Sequence, residues 1–214
     1  MSVAPPQESS AAPTRSNVPL KGSAKLVAEF FEYSINSILY QRGIYPSEDF
    51  QVVRKWDLNM LVTVDSNVKA YIKKIMSQLH KWLVGGKISK LVVVITSKDS
   101  GEVVERWQFD VSVMAGGGDG DSQEGAAQKS QEDIQKEIQS IIRQITASVT
   151  FLPELQGRCT FNVLVYADGD ADVPKEWGDS DPKDVKNAEQ VQLRSFSTQS
   201  HKIDTLVAYK LGDD

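Results

Sequence analysis

A single thiol, two imidazoles and a run of acids are the side chains of this sequence whose types could support chemistry. Cys159 and His201 would make a nucleophile and its base, with His80 the other imidazole. Both fall in strand-like stretches with no G-x-S-x-G turn or oxyanion loop beside them, so a hydrolase built on this pair finds no support. A lone strand cysteine reads as a small core residue. One Cys and two His cannot assemble a Cys/His zinc cluster or an intrachain disulfide, which fits a reducing compartment. Asp168, Asp170 and Asp172 have the first three ligand spacings of a calcium loop. Val173 and Asp179 then stand where Gly and Glu are needed, so the acids read as solvated loop residues. Gly116, Gly117, Gly118 and Gly120 precede no G-K-[ST], which leaves a phosphate cradle without its lysine. No cofactor, metal or catalytic residue is expected, and binding is favoured over catalysis.

The elements that would carry a binding site are readable from periodicity. From Ser23 onward Val27, Phe31, Ile35 and Ile38 share a helical face, while Leu26, Phe30, Tyr33 and Leu39 make the other faces apolar, ending at Gly43. A helix apolar nearly all round predicts a central helix beneath a sheet. A second helix starts near Ser66 with Val68, Ile72, Ile75, Leu79 and Trp82 on one stripe and stops at Gly85 and Gly86. Its Lys69, Lys73, Lys74 and Lys81 read as a solvated face. A third opens on Ser130 and Asp133 at capping-box spacing and runs through Ile134, Ile138, Ile141 and Ile145.

Leu91 to Ile95 predicts a central strand covered on both faces, and Asp99, Ser100 and Gly101 predict a reversal. In the returning strand Val103, Trp107, Phe109, Val111 and Val113 should be buried, opposite Val104, Arg106, Gln108, Asp110 and Ser112. Cys159 to Tyr166 becomes apolar on both sides and is expected to be interior too. Residues 168–189 hold twenty-two residues with eight acids and no period, a length that in compact domains marks a functional or disordered loop. Strands are expected over Val191 to Ser197 and Ile203 to Leu211, with Ile203, Val207, Tyr209 and Leu211 on one side.

With 214 residues, 40% hydrophobic and 25% charged, the chain can bury the core of one globular domain. Residues 1–19, rich in Pro, Ser and Ala, read as a disordered tail, and 114–129 as a flexible loop. A formal charge of -5 offers no basic surface for displacing counterions, so nucleic acid is not an expected partner. The longest apolar runs are too short to span a bilayer and the start lacks a basic, apolar leader, so a soluble, unexported protein without a membrane partner is expected. The fold class is α+β, three helices against a mixed or antiparallel sheet.

Four stretches carry more than composition: Gly22 to Glu29 (GSAKLVAE), Asn36 to Pro46 (NSILYQRGIYP), Glu105 to Asp110 (ERWQFD) and Arg143 to Pro153 (RQITASVTFLP). With Val173 and Pro174, LRSF at Leu193 to Phe196 and VAYK at Val207 to Lys210, they resemble the spindle-checkpoint members of the HORMA-domain family over about residues 20–211. The resemblance implies a HORMA domain over 20–214, three helices on a largely antiparallel sheet, with a mobile C-terminal safety belt and hairpin in 168–214. It implies a non-enzymatic two-state switch that captures a peptide of the mitotic activator of the anaphase-promoting complex and delays anaphase until chromosomes attach. In the open state the C-terminal segment occupies a sheet edge. In the closed state it crosses the sheet, a partner peptide takes the vacated edge, and the belt wraps it.

The implied peptide edge is Cys159, Phe161, Val163, Val165 and Tyr166; the belt contacts are Val173, Pro174 and Trp177. Arg143, Gln144 and Phe151 would form the surface on which open and closed copies dimerise, and Arg194, His201, Val207 and Tyr209 belong to the C-terminal switch. Trp107 reads as a plain core residue, though the family places its tryptophan near the rearranging sheet. Further partners implied are a coiled-coil kinetochore receptor, a checkpoint pseudokinase complex, and a remodelling AAA-plus ATPase with its HORMA adaptor. The places implied are nucleus, kinetochore and cytoplasm. The alternative within the fold is an adaptor of another pathway, such as a translesion polymerase accessory subunit. ERWQFD, RQITASVTFLP and LRSF favour the checkpoint branch.

Overall fold

The computed structural model describes residues 17–114 and 129–211. Residues 115–128 of the expected flexible loop and 1–16 of the expected tail lie outside them. Helix α1 spans Asn17–Gln41, six residues ahead of the expected start at Ser23, so residues 17–19 are helical rather than tail. Pro19 is tolerated there because first-turn amides have no intrahelical acceptor to lose. The helix ends where Gly43, at φ +63, turns the chain, with Ile44 N–H donating to Leu39 C=O and Gly43 N–H to Tyr40 C=O. Ala24, Val27, Phe30, Phe31, Ile35, Ile38 and Leu39 are fully buried, as expected for a central helix.

Strands β1 (Phe50–Lys55) and β2 (Leu58–Thr63) form a separate hairpin that periodicity does not announce. Its two-residue turn, Trp56 and Asp57, has φ of +49 and +55. That geometry is normally signalled by Asn-Gly or Asp-Gly, and here it is reached without glycine. Helix α2 (Ser66–Val84) is capped by Asp65, whose carboxylate accepts from Asn67 and Val68 N–H. Helix α3 (Gln131–Ala147) begins with Ser130 Oγ accepting from Asp133 N–H while Asp133 accepts from the Ser130 hydroxyl.

The main sheet contains β3 (Ile88–Ser97), β4 (Val103–Val113), β5 (Cys159–Ala167), β6 (Ala188–Gln192) and β8 (His201–Lys210) in the order β5-β3-β4-β8-β6, with β7 (Phe196–Ser197) also on β8. All pairings are antiparallel. Leu91, Val93 and Ile95 face the helices, while Val92 and Val94 join Leu164 in a second cluster on the other face. The central strand is thus covered on both sides, as expected. A bulge between Ile95 and Thr96 in the β3–β4 register moves Val103 to that second cluster and leaves Val104 on the main core, reversing the alternation expected there. Val113 is exposed rather than buried. The expected strand over Val191 to Ser197 is broken at residues 193–195, whose Leu193 nonetheless enters the core, and Leu211 is exposed beyond the end of β8. Phe196 packs edge-on against Phe30 at 4.7 Å, joining β7 to the central helix.

Candidate functional site

Strand β5, expected to be interior, is an edge. Among the described residues it pairs with β3 alone. Apolar residues on both faces require cover above and below a strand, not a neighbour on each side, and β5 has the first without the second. Arg158 C=O receives Lys98 N–H from the end of β3. The period of two therefore turns the backbone groups of residues 160, 162 and 164 toward β3 and those of Phe161, Val163 and Val165 outward. The side chains of Phe161 and Val165 are half-buried on the helix side and Val163 is buried there; Tyr166 packs with the second cluster. Phe161 lies between Tyr71 of α2, at 5.6 Å, and Tyr45, at 6.2 Å. The edge therefore offers outward amides and carbonyls above an aromatic wall, the features an added strand needs.

The segment after β5 straps this edge. Asp168 N–H donates to Lys87 C=O, and Asp170 pairs with Lys87 at 2.7 Å, which holds its carboxyl below the usual range. Trp82 Nε1–H of α2 donates to Asp172 C=O at 3.0 Å, and Trp177 stacks edge-on against Trp82 at 5.1 Å. Glu176 meets Lys74, one turn beyond Tyr71, at 3.3 Å. The next anchor is on the opposite face of the sheet, where Arg106 Nε donates to Pro182 C=O at 3.2 Å and Nη2 to the Tyr166 hydroxyl at 3.3 Å. Arg106 pairs with Val94, which pairs with Asn162, and Tyr71 also reaches Asn162. The strap is thus held on the helix face by Trp82 and Lys74 and on the opposite face by Arg106, and residues 177–181 join the two. The strap returns through β6 to β8. Of the expected belt contacts, Trp177 is an anchor, Pro174 is half-buried and Val173 is exposed.

The C-terminal strand lies on the far side of the sheet. Val207 is buried between Trp107 of β4 and Val191 of β6, and Tyr209 pairs across to Glu105 and Glu189. This is the arrangement that the resemblance assigns to the closed state. His201 is fully buried, with Nδ1 at 2.6 Å from the Ser23 hydroxyl, which in turn contacts Thr198 Oγ1 at 2.6 Å. Burial pushes the imidazole below its ordinary value, opposed only in part by the Leu83 backbone. Cys159 sits on the other side of two intervening strands and at the opposite end of the sheet. Burial, then the nearby Glu105 and Asp99 carboxylates, push its thiol pKa up, so no nucleophile and base are assembled. No cluster of metal-ligating side chains occurs among the described residues.

On α3, Arg143 is exposed, Gln144 Oε1 accepts from Arg194 N–H at 2.7 Å, and Phe151 is exposed just beyond the helix. That bond joins Gln144 and Arg194, expected in two separate groups. One polar cluster escaped periodicity. Arg42 Nε donates to both Glu105 oxygens at 3.0 and 3.1 Å, Arg42 Nη2 to Pro153 C=O, and Trp107 Nε1 to Glu105 at 2.8 Å. Burial raises the Glu105 carboxyl while Arg42 and Trp107 oppose it. Three of its members lie in the stretches NSILYQRGIYP and ERWQFD, but a buried charge pair leaves no periodic signal.

Comparison with known proteins matches the HORMA domain model to residues 23–201. The mitotic spindle checkpoint component mad2 of Schizosaccharomyces pombe is 62% identical over 203 residues, covering 94% of this chain and 98% of that protein. The Homo sapiens mitotic spindle assembly checkpoint protein MAD2A is 50% identical over 196 residues, covering 91% and 93%. A chain in the crystal structure of the mitotic checkpoint complex superposes with a TM-score of 0.80 at 61% identity, covering 89% of this chain and 99% of that one.

Proposed function

The chain belongs to the HORMA-domain family, and from that premise we propose that it is a spindle assembly checkpoint switch that captures a peptide of the mitotic activator of the anaphase-promoting complex. The observation that carries this reading is the β5 edge, unpaired among the described residues, with a strap anchored on both faces of the sheet. A peptide added as a strand would satisfy the outward amides and carbonyls of Phe161, Val163 and Val165, with side chains seated against Tyr71 and Phe161. The strap makes release depend on freeing residues 172–182 from α2 or from Arg106, not only on breaking the added ladder. Moving β8 away from β4 would strip the ladder from Glu105 to Val113, a barrier far above that of a loop motion.

Checkpoint relatives at 50% and 62% identity support this branch over a polymerase adaptor. The partners we propose are the activator, the coiled-coil kinetochore receptor, a second copy in the other state, the pseudokinase complex, and the remodelling ATPase with its adaptor. The protein would act in the nucleus, at kinetochores and in the cytoplasm. The arrangement performs capture without chemistry. The test is a pull-down from mitotic extract with the intact protein and with a variant lacking the strap. The activator should be retained by the former and lost by the latter; a polymerase subunit in its place overturns the checkpoint reading.

A further inference from the structure

The free edge is not bare. Val163 N–H, in the middle of the outward-facing groups, donates to Asn162 Oδ1 at 2.9 Å, and the same oxygen accepts from the Tyr71 hydroxyl at 3.0 Å. By the alternation of β5, Asn162 leaves the sheet on the same face as Leu164 and Tyr166, away from α2. Tyr71 stands on α2, on the helix side. Their bond therefore passes around the rim of the strand. Both side chains are exposed, so neither is needed to fill the core. Burial keeps the Tyr71 hydroxyl above its ordinary value, with the Val163 backbone opposing, so it remains a donor.

We propose that Asn162 and Tyr71 form a clasp over the outward edge of β5 that an incoming peptide must open, making them gating residues for capture. An added strand needs its own carbonyl on Val163 N–H, the position Asn162 now fills. Once displaced, the Asn162 amide and the Tyr71 hydroxyl are free to meet the peptide or water. The clasp also satisfies an edge group that would otherwise recruit the edge of another chain, a hazard of any open strand. This inference rests on the capture reading and adds the step that limits it.

The test uses the intact protein, measuring amide hydrogen exchange at Val163 without peptide and equilibrium titration with a fluorescein-labelled peptide from the activator. Asn162→Ala removes the acceptor and should speed Val163 exchange about tenfold. By removing a bond made only in the empty state it should tighten capture about fivefold. Tyr71→Phe keeps the Asn162 to Val163 bond and should show a smaller gain. Asn162→Asp offers a charged acceptor to the same two donors, so exchange should slow and capture weaken. Unchanged Val163 exchange in Asn162→Ala overturns the clasp. Unchanged or weaker capture by that variant, with exchange accelerated, overturns the gate. Exchange responding as expected while the wild-type protein captures no peptide rejects the capture reading, and the gate with it.

Discussion

Glu105 and Arg42 are both almost fully out of water, so the sheet and the end of α1 depend on their staying together. Glu105→Ala leaves the guanidinium buried with only Pro153 C=O for company, and removing one partner of such a pair costs about 3 kcal/mol or more. Urea unfolding should register that loss. His201 gives a pH dependence. Its folded-state pKa lies below the ordinary 6.5, so below that pH the unfolded chain takes up a proton that the native ring resists. Stability tied to this residue is present above 6.5 and falls as pH drops toward the lower native value. The wild-type melting temperature should therefore fall more between about pH 7.5 and about pH 5.5 than that of His201→Asn. Equal slopes would exclude the imidazole as the cause.

At the scale of elements, the strap holds the two sheet faces through few contacts, chiefly the Trp177 ring on Trp82, the Glu176 pair with Lys74 and the Arg106 bond to Pro182. Most of its residues are exposed, so it adds little to the core. Replacing residues 172–184 by a Gly/Ser linker of equal length should leave far-ultraviolet circular dichroism unchanged and raise the dissociation rate of the captured peptide at least about tenfold. Stopped-flow displacement of a labelled peptide measures it, and an unchanged rate would sink the strap's role. The edge status of β5 belongs to this scale too. Its double-sided apolar pattern reads the same for an interior strand as for an edge covered above and below, and only the sheet order distinguishes them.

For the whole molecule, the exposed Arg143 lies beside Gln144, whose side chain is tied to the segment leading into β7. That bond places the proposed self-association surface in contact with the segment proposed to change state. Arg143→Glu should change folding stability by no more than about 0.5 kcal/mol, because a solvated helix charge contributes little. It should still capture peptide but elute as a monomer in size-exclusion chromatography at concentrations where the wild type pairs. A persistent dimer would exclude this surface.

Three helices, the caps at Gly43 and Ser130, the buried stripe of α3 and the doubly covered β3 follow from periods and capping chemistry that act within a few residues. Those are local causes, and the chain states them directly. The stretches GSAKLVAE, NSILYQRGIYP, ERWQFD and RQITASVTFLP likewise carry the family. The β1–β2 hairpin stayed hidden because Trp56 and Asp57 adopt positive φ without glycine, and the bulge that turns Val103 over exists only against β3. The Arg42, Glu105 and Trp107 cluster, the edge position of β5 with Asn162 and Tyr71 across it, and β8 lying against β4 are decided by pairings between distant parts of the chain. A strand's side-chain pattern specifies which face is buried but not which strand lies beside it. That choice is made by the sheet as a whole, and it is the choice on which capture depends.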